Sequence, residues 1–434
     1  AVILSTSLMQ AVIGRLAIMD ALLDLAVALT IFWWFRSLET ARGRYAIYGW
    51  VAAGLGFLAK GLVAPVVALL VIVPFYLWNR RCESVKPLPM REWILGALVF
   101  LAIAAPWPAA LASQYHLLPL QKLIGEYTIG RYTGVIENQS GPWWYYVPVV
   151  ILGFFPWIAF LPMAIVYGVR QLREDSQSGE LGRLVRLAFS WIVMPLIFFS
   201  LARTKLPNYV ALEFPALALL TALYFDAVVR KGGTRSAVIS AAIVPVTSGA
   251  LAFAVALFTT NNRLTAEVAG AVPPLLGMAV TIFAGSLLTA LLVARPKSAF
   301  LAPFALALAV LVALDVVAVR VLPRAEAFKP IPRLAARIER ERRPGDIVAI
   351  QNVSGGNALL FYTRPVVRVL APPQDGDPQS DGVEPRSLIC KAPRAWVIVP
   401  AASIASDPSY GRALRVVAVD RKAALLLYEG PGCR

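Results

Sequence analysis

Arg203 and Lys205 stand two residues apart in L-A-R-T-K-L-P-N-Y-V-A-L-E-F-P, residues 201–215, at the mouth of one apolar run and the start of the next. Fixed charges beside two membrane-grade segments are expensive unless they lie at an interface or in a site. Two cations on a backbone stiffened by Pro207 can seat a phosphate. The plainer reading is a pair of snorkelling side chains that close a helix end. Asp20, Lys60, Glu126, Arg131 and Glu137 fall on the same side of the apolar runs. In that company the cations would stabilise a departing phosphate, and a carboxylate would take a proton from an incoming nucleophile. There is no Walker loop, no G-x-S-x-G and no metal-spaced Cys/His set, and His116 is the single histidine, an incidental loop residue. P-loop ATP use, a Ser-His triad and zinc hydrolysis are therefore not expected.

The elements that must position these residues are membrane spans. Of 434 residues 59% are hydrophobic and only 15% charged, and apolar runs of roughly 18–25 residues recur, each long enough to cross a bilayer. The fold expected is mostly α: a polytopic transmembrane helical bundle over residues 1–325, then an extracytoplasmic α/β domain over 326–434. Ala1–Gly14 reads as the end of a span, and Asp20 or Asp24 opens the next run, to Phe35. Further runs lie near 45–59, 61–78, 93–112, 143–168, 185–202, 207–229, 236–259, 272–294 and 299–322, about eleven spans in all. Ala1 lies inside an apolar run without a basic n-region or a cleavage site, so a signal peptide is not expected. The chain is expected to begin part-way through a membrane protein.

The net charge of +16 is concentrated in short loops, which points to anionic lipid headgroups and away from nucleic acid. Sixteen cations fall in one set of loops, around Arg36–Arg44, Arg80–Arg91, Arg170–Arg186, Arg230–Arg235 and Arg295–Lys297, against seven in the other. The positive-inside rule makes the first set cytoplasmic and puts Asp20, Lys60, Arg203, Lys205 and the 113–142 loop outside. That loop carries Leu120, Leu123, Ile124, Tyr127 and Ile129 at near-helical spacing, as an amphipathic helix in the interface would. Gly141–Tyr146, G-P-W-W-Y-Y, reads as a turn and an aromatic belt. Glu213, Asp226 and Asp315 read mostly as ordinary interface carboxylates. Strands are expected near 345–350, 366–370, 395–399, 414–419 and 424–428, behind a charged helix at 330–343. Cys390 and Cys433 fall in this last domain. In an oxidising compartment they can pair or stay as two thiols, while Cys82 stays a free thiol.

Four segments, in order, resemble the membrane glycosyltransferases of the C superfamily, of the aminoarabinose-transferase and protein O-mannosyltransferase type. They are R-L-A-I-M-D at 15–20, G-F-L-A-K-G-L at 56–62, G-P-W-W-Y-Y-V-P at 141–148 with F-F-P-W at 154–157, and A-R-T-K-L-P-N-Y-V at 202–210. The resemblance covers most of residues 1–230. It implies transfer of a sugar from a polyprenyl-phosphate donor to a lipid or protein acceptor on the outer face of the inner membrane. The displacement would be inverting, with polyprenyl phosphate leaving.

By the same resemblance Lys60 binds the donor phosphate, with Arg131, Arg203 and Lys205 as further contacts. Asp20 is the catalytic carboxylate within this chain, and Glu126, Tyr145 and Tyr146 contact the acceptor or the loop. The family's main carboxylate belongs to a first outer loop expected before Ala1. No metal ligand is identified, since Tyr127 and Thr128 stand where some members carry a histidine. No cofactor is identified, and a divalent metal stays open. Two other readings fit the same residues: a flippase of a lipid-linked substrate, and an inactive relative that binds lipid phosphate.

Overall fold

The computed structural model describes residues 1–434 except 17, 81–84, 87–88, 118–119, 122–123, 136–138, 175–178, 232–234, 262–271, 324–328, 352, 354–357, 364–366, 370–393, 407–413, 421–422 and 430–434. Cys82, Cys390 and Cys433, with Lys122 and Glu137, lie outside the described residues. The chain divides into two compact units, Ala1–Val317 and Ala318–Arg434.

Unit one is helical. Its helices are α1 (Val2–Ser5), α2 (Leu8–Ile13), α3 (Asp20–Thr40), α4 (Gly43–Lys60), α5 (Val63–Arg80), α6 (Met90–Ala104), α7 (Pro106–Tyr115), α8 (Tyr146–Gly153), α9 (Leu161–Glu174), α10 (Glu180–Leu201), α11 (Phe214–Arg230), α12 (Arg235–Asn261), α13 (Val272–Val293) and α14 (Ala302–Val316). The expected count of about eleven spans is not confirmed. Among the described residues six helices are long and apolar enough to cross a membrane, or seven if α6 and α7, bent by 42°, form one span.

Several of the expected runs are interrupted or less apolar. Pro106 cannot donate to the turn before it, so the 93–112 run bends there. The 143–168 run breaks at Gly153–Pro156 into α8, a 3-10 turn Trp157–Ala159 and α9. Ala1–Gly14 forms two short helices, α1 and α2. Helix α4 is continuous but, with Arg44, Lys60 and its glycines and tyrosines, is not among the six.

The bundle closes around large side chains with no exposure, among them Trp34, Phe75, Phe154, Trp157, Phe160 and Phe214. Helix α3 packs on α4 and α5, and α10 packs on α5 and α11. Two glycines set how closely α4 can come. A Cβ on Gly56 would lie 2.5 Å from that of Ala64 on α5 and 3.0 Å from that of Ala26 on α3. Gly61, at φ +65°, ends α4 directly after Lys60 and donates its N–H to the Phe57 carbonyl at 2.7 Å. Glycine takes that backbone conformation without the steric cost a side chain would add.

Helix ends sort by charge. The Asp20 end of α3 meets the Lys60 end of α4. At the other end of α3, about 30 Å away at 1.5 Å per residue, Glu39 pairs with Arg36 at 2.8 Å and with Arg183 of α10 at 3.5 Å. Arg186 of α10 donates to Asn79 of α5 at 2.8 Å on that same side. The basic loops and the Asp20–Lys60 pair therefore occupy opposite ends of these helices.

Unit two holds a five-stranded sheet in the order β2-β1-β3-β5-β4: β1 (Ile347–Ile350), β2 (Val367–Val369), β3 (Arg394–Pro400), β4 (Arg415–Asp420) and β5 (Ala423–Glu429). Its first two pairings, β1 with β2 and with β3, are parallel, and the β5 pairings are antiparallel. All five expected strand segments are in it. Helix α15 (Pro330–Glu341) buries Ile331, Leu334 and Ile338 against one face, while Ile404 packs on the other. Both faces of β3 and β5 are covered, which is why their sequences run apolar without alternating.

Gly56→Val should destabilise the bundle by about 1–3 kcal/mol through overpacking, read as a lower Tm in detergent. Gly277→Val, where a Cβ meets nothing within 4 Å, is the control that should not move.

Candidate functional site

Asp20 opens α3 and Lys60 closes α4. Their side chains meet at 2.5 Å, the carboxylate 10% and the ammonium 24% exposed. The same Oδ1 of Asp20 accepts from Asn208 Nδ2 at 2.7 Å. Both bonds fall on Oδ1, so Oδ2 has no partner among the described residues. Lys60 Nζ also sits 5.8 Å from the centre of the Tyr209 ring. Asn208 and Tyr209 belong to a 3-10 turn, Pro207–Glu213, that carries the chain into α11.

One helical turn into α3 the buried Asp24 accepts from Gln10 Nε2 at 2.9 Å, and that amide also donates to the Ala211 carbonyl at 3.0 Å. Gln10, Asn208 and Tyr209 were not singled out in the sequence. The only local signal for the last two was their place in the K-L-P-N-Y motif, and Gln10 had none.

The cations of the 201–215 stretch behave differently from one another. Lys205 is 5% exposed, and its Nζ donates to the carbonyls of Phe199, Ser200 and Ala202 at 3.1, 2.5 and 2.6 Å. These are orphan acceptors at the C-terminal end of α10, and an ammonium has three N–H donors in all. Burial draws its pKa below the usual lysine range. It lies 5.6 Å from the Tyr146 ring. Arg203, in contrast, has an exposed side chain.

The backbone of this stretch is tied to the outer loop: Arg203 N–H donates to Tyr132, Thr204 N–H to Arg131 and Lys205 N–H to Gln139, at 3.0, 3.1 and 2.8 Å. Arg131, Arg203 and Lys205 thus come together through the main chain. Tyr145 is half-buried and packs edge-on against Tyr146, which is 1% exposed and so turned inward.

The helix expected over Leu120–Ile129 is there in every described residue: 120, 121 and 124 are α-helical, Gly125–Gly130 is π-helical and Arg131–Thr133 adds an α turn. Gly134, whose backbone is extended, ends it. The side chain of Glu126 lies outside the described residues. Of the later carboxylates, Asp226 and Asp315 are exposed, as interface residues are, but Glu213 is buried at 1% exposure. Among the described residues no three His, Cys, Asp or Glu side chains gather to hold a metal ion.

Comparison with known proteins agrees with the motifs. Residues 1–109 match the dolichyl-phosphate-mannose-protein mannosyltransferase family. A protein of Erwinia tasmaniensis named undecaprenyl phosphate-alpha-4-amino-4-deoxy-L-arabinose arabinosyl transferase is 32% identical over 259 residues, 58% of this chain and 44% of its own. One of the same name from Serratia proteamaculans is 32% identical over 219 residues, 49% of this chain and 37% of its own. The chain spans less than half the length of these curated relatives.

The crystal structure of ArnT from Cupriavidus metallidurans bound to undecaprenyl phosphate superposes with a TM-score of 0.79 at 20% identity, over 98% of this chain and 77% of that one. Its apo state gives 0.77 at 19%. The chain therefore shares the fold of that solved protein over nearly its whole length, and the resemblance read from the motifs stands.

If Lys205 closes α10, Lys205→Met should cost about 1–2 kcal/mol of stability, while Arg203→Met should stay within about 0.5 kcal/mol. Thermal unfolding of the two variants side by side decides this. Equal losses would remove the distinction.

Proposed function

We propose that the protein carrying this chain transfers a sugar from a polyprenyl-phosphate donor to a lipid acceptor at the outer face of a bacterial inner membrane, and that Asp20, Lys60, Asn208 and Tyr209 belong to the donor end of its site. One observation carries the reading. The Asp20–Lys60 pair lies at helix ends opposite the basic loops, in a fold shared with a protein whose crystal structure holds undecaprenyl phosphate. An undecaprenyl-phosphate-linked aminoarabinose as donor is supported by the names of the two relatives. A periplasmic placement of Ala318–Arg434 is supported by the charge asymmetry of the loops.

In this reading the Lys60 ammonium, fixed by Asp20 and by the Tyr209 ring, neutralises the charge that develops on the leaving polyprenyl phosphate. Arg203 and Arg131, joined through the main chain of the 203–205 stretch, add cations. Lys205 acts at one remove, holding the Arg203–Pro207 turn by capping α10. Asp20 keeps Lys60 in place through Oδ1 and presents Oδ2 to the proton of the acceptor nucleophile. Tyr145 and the outer loop, to which Glu126 belongs, serve the acceptor.

Lys60→Ala should lower donor-dependent transfer about 10²–10³-fold, measured in membranes supplied with the lipid-linked sugar. Turnover at the wild-type rate would falsify the assignment of Lys60.

A further inference from the structure

A cavity of about 250 Å³ opens between α9, the end of α11 and the start of α12. It lies at the basic-loop end of the bundle, since α11 runs from the Asn208–Tyr209 turn at one end to Arg230 at the other. Arg170 of α9 and Lys231, just past α11, stand on its wall with exposed side chains. Gln171, Tyr167 and Ser236 add polar groups, and Ser236 shares a 3.1 Å hydrogen bond with Tyr224.

Among the described residues no carboxylate pairs with Arg170 or Lys231, and the neighbouring Asp226 is held by Arg230 at 2.8 Å. The rest of the wall is apolar, with Met163, Val166 and Val228. Val166 is 42% exposed, and Ile239 and Ile243 on α12 are 53% and 44% exposed. In a multi-pass membrane protein such faces meet acyl chains.

The occupant must therefore join an anion to hydrocarbon. The volume falls below the roughly 300 Å³ that a drug-sized ligand fills, which suits a headgroup with its chains outside. Basic pockets between helices on this side of a membrane protein bind anionic lipid. We propose that the cavity binds the headgroup of an anionic glycerophospholipid, its phosphate between Arg170 and Lys231 and its acyl chains along the exposed apolar faces of α9 and α12. The site is remote from the Asp20–Lys60 pair and does not depend on what that pair does.

The test is retention of lipid by the purified protein, read by native mass spectrometry as phosphatidylglycerol is titrated against phosphatidylcholine. Wild type should retain phosphatidylglycerol selectively. The double variant R170Q/K231Q should bind it roughly tenfold more weakly. R295Q/K297Q, which removes two cations from another basic loop, should bind as wild type, and the charge-preserving Lys231→Arg should too.

Equal losses in both double variants would mean a general attraction to the basic face and overturn the site. Equal retention of the two lipids would do the same. If inorganic phosphate at the same concentration displaces the lipid, the source is a free phosphate and the acyl-chain half of the proposal fails. A R170Q/K231Q protein that elutes and melts as wild type yet keeps full affinity also overturns it.

Discussion

The ion pair between Asp20 and Lys60 joins the first residue of α3 to the last residue of α4, and much of the described bundle is arranged so that it can form. Neither charge is freely solvated, and in low-dielectric surroundings an unpaired one would be costly. Helix α4 can deliver Lys60 there only because Gly56 lets it approach Ala26 and Ala64, and because Gly61 ends the helix at once. Asn208 completes the arrangement from the other side of the fold, on a turn that leads into α11. Helix packing, helix termination and the charge pair are thus one constraint seen at three scales.

The same logic separates two lysines that resemble each other in sequence. Lys60 keeps its ammonium on side chains, with a carboxylate and an aromatic ring as neighbours. Lys205 has its three N–H donors on main-chain carbonyls at the end of α10. A cation near a helix C-terminus and a cation near a phosphate produce the same local pattern, because both follow an apolar run. Only the count of donors against acceptors in three dimensions tells them apart. The plainer sequence reading, a side chain closing a helix end, describes what Lys205 does.

The two ends of the bundle carry different chemistry. One end gathers a few charges into specific contacts, with Asp20, Asp24, Gln10, Lys60 and Asn208 bonded across four elements. The other end carries many cations, some tied into Glu39 and Asn79 and others left facing outward. A dense basic end suits recognition of surface charge, whereas a sparse, cross-bonded end suits a single reacting group.

Apolar runs, the positive bias of alternate loops, the five strands and the A-K-G and R-T-K-L-P-N-Y segments were legible in the sequence. Each is a property of neighbours along the chain, where hydropathy and spacing act directly. Breaks in the long runs were partly legible too, since Pro106 and Pro156 stand inside them, but run length alone concealed them. Tertiary structure decided the rest. Gln10 bonds to the carbonyl of Ala211, 201 residues away, and no local pattern marks either partner. Whether Asp20 faced Lys60, whether Lys205 met a ligand or its own helix, and whether Tyr146 pointed outward or inward all depended on how closely the helices packed. A hydrogen bond or ion pair is set by distances of a few tenths of an ångström, and those exist only once the chain has closed on itself.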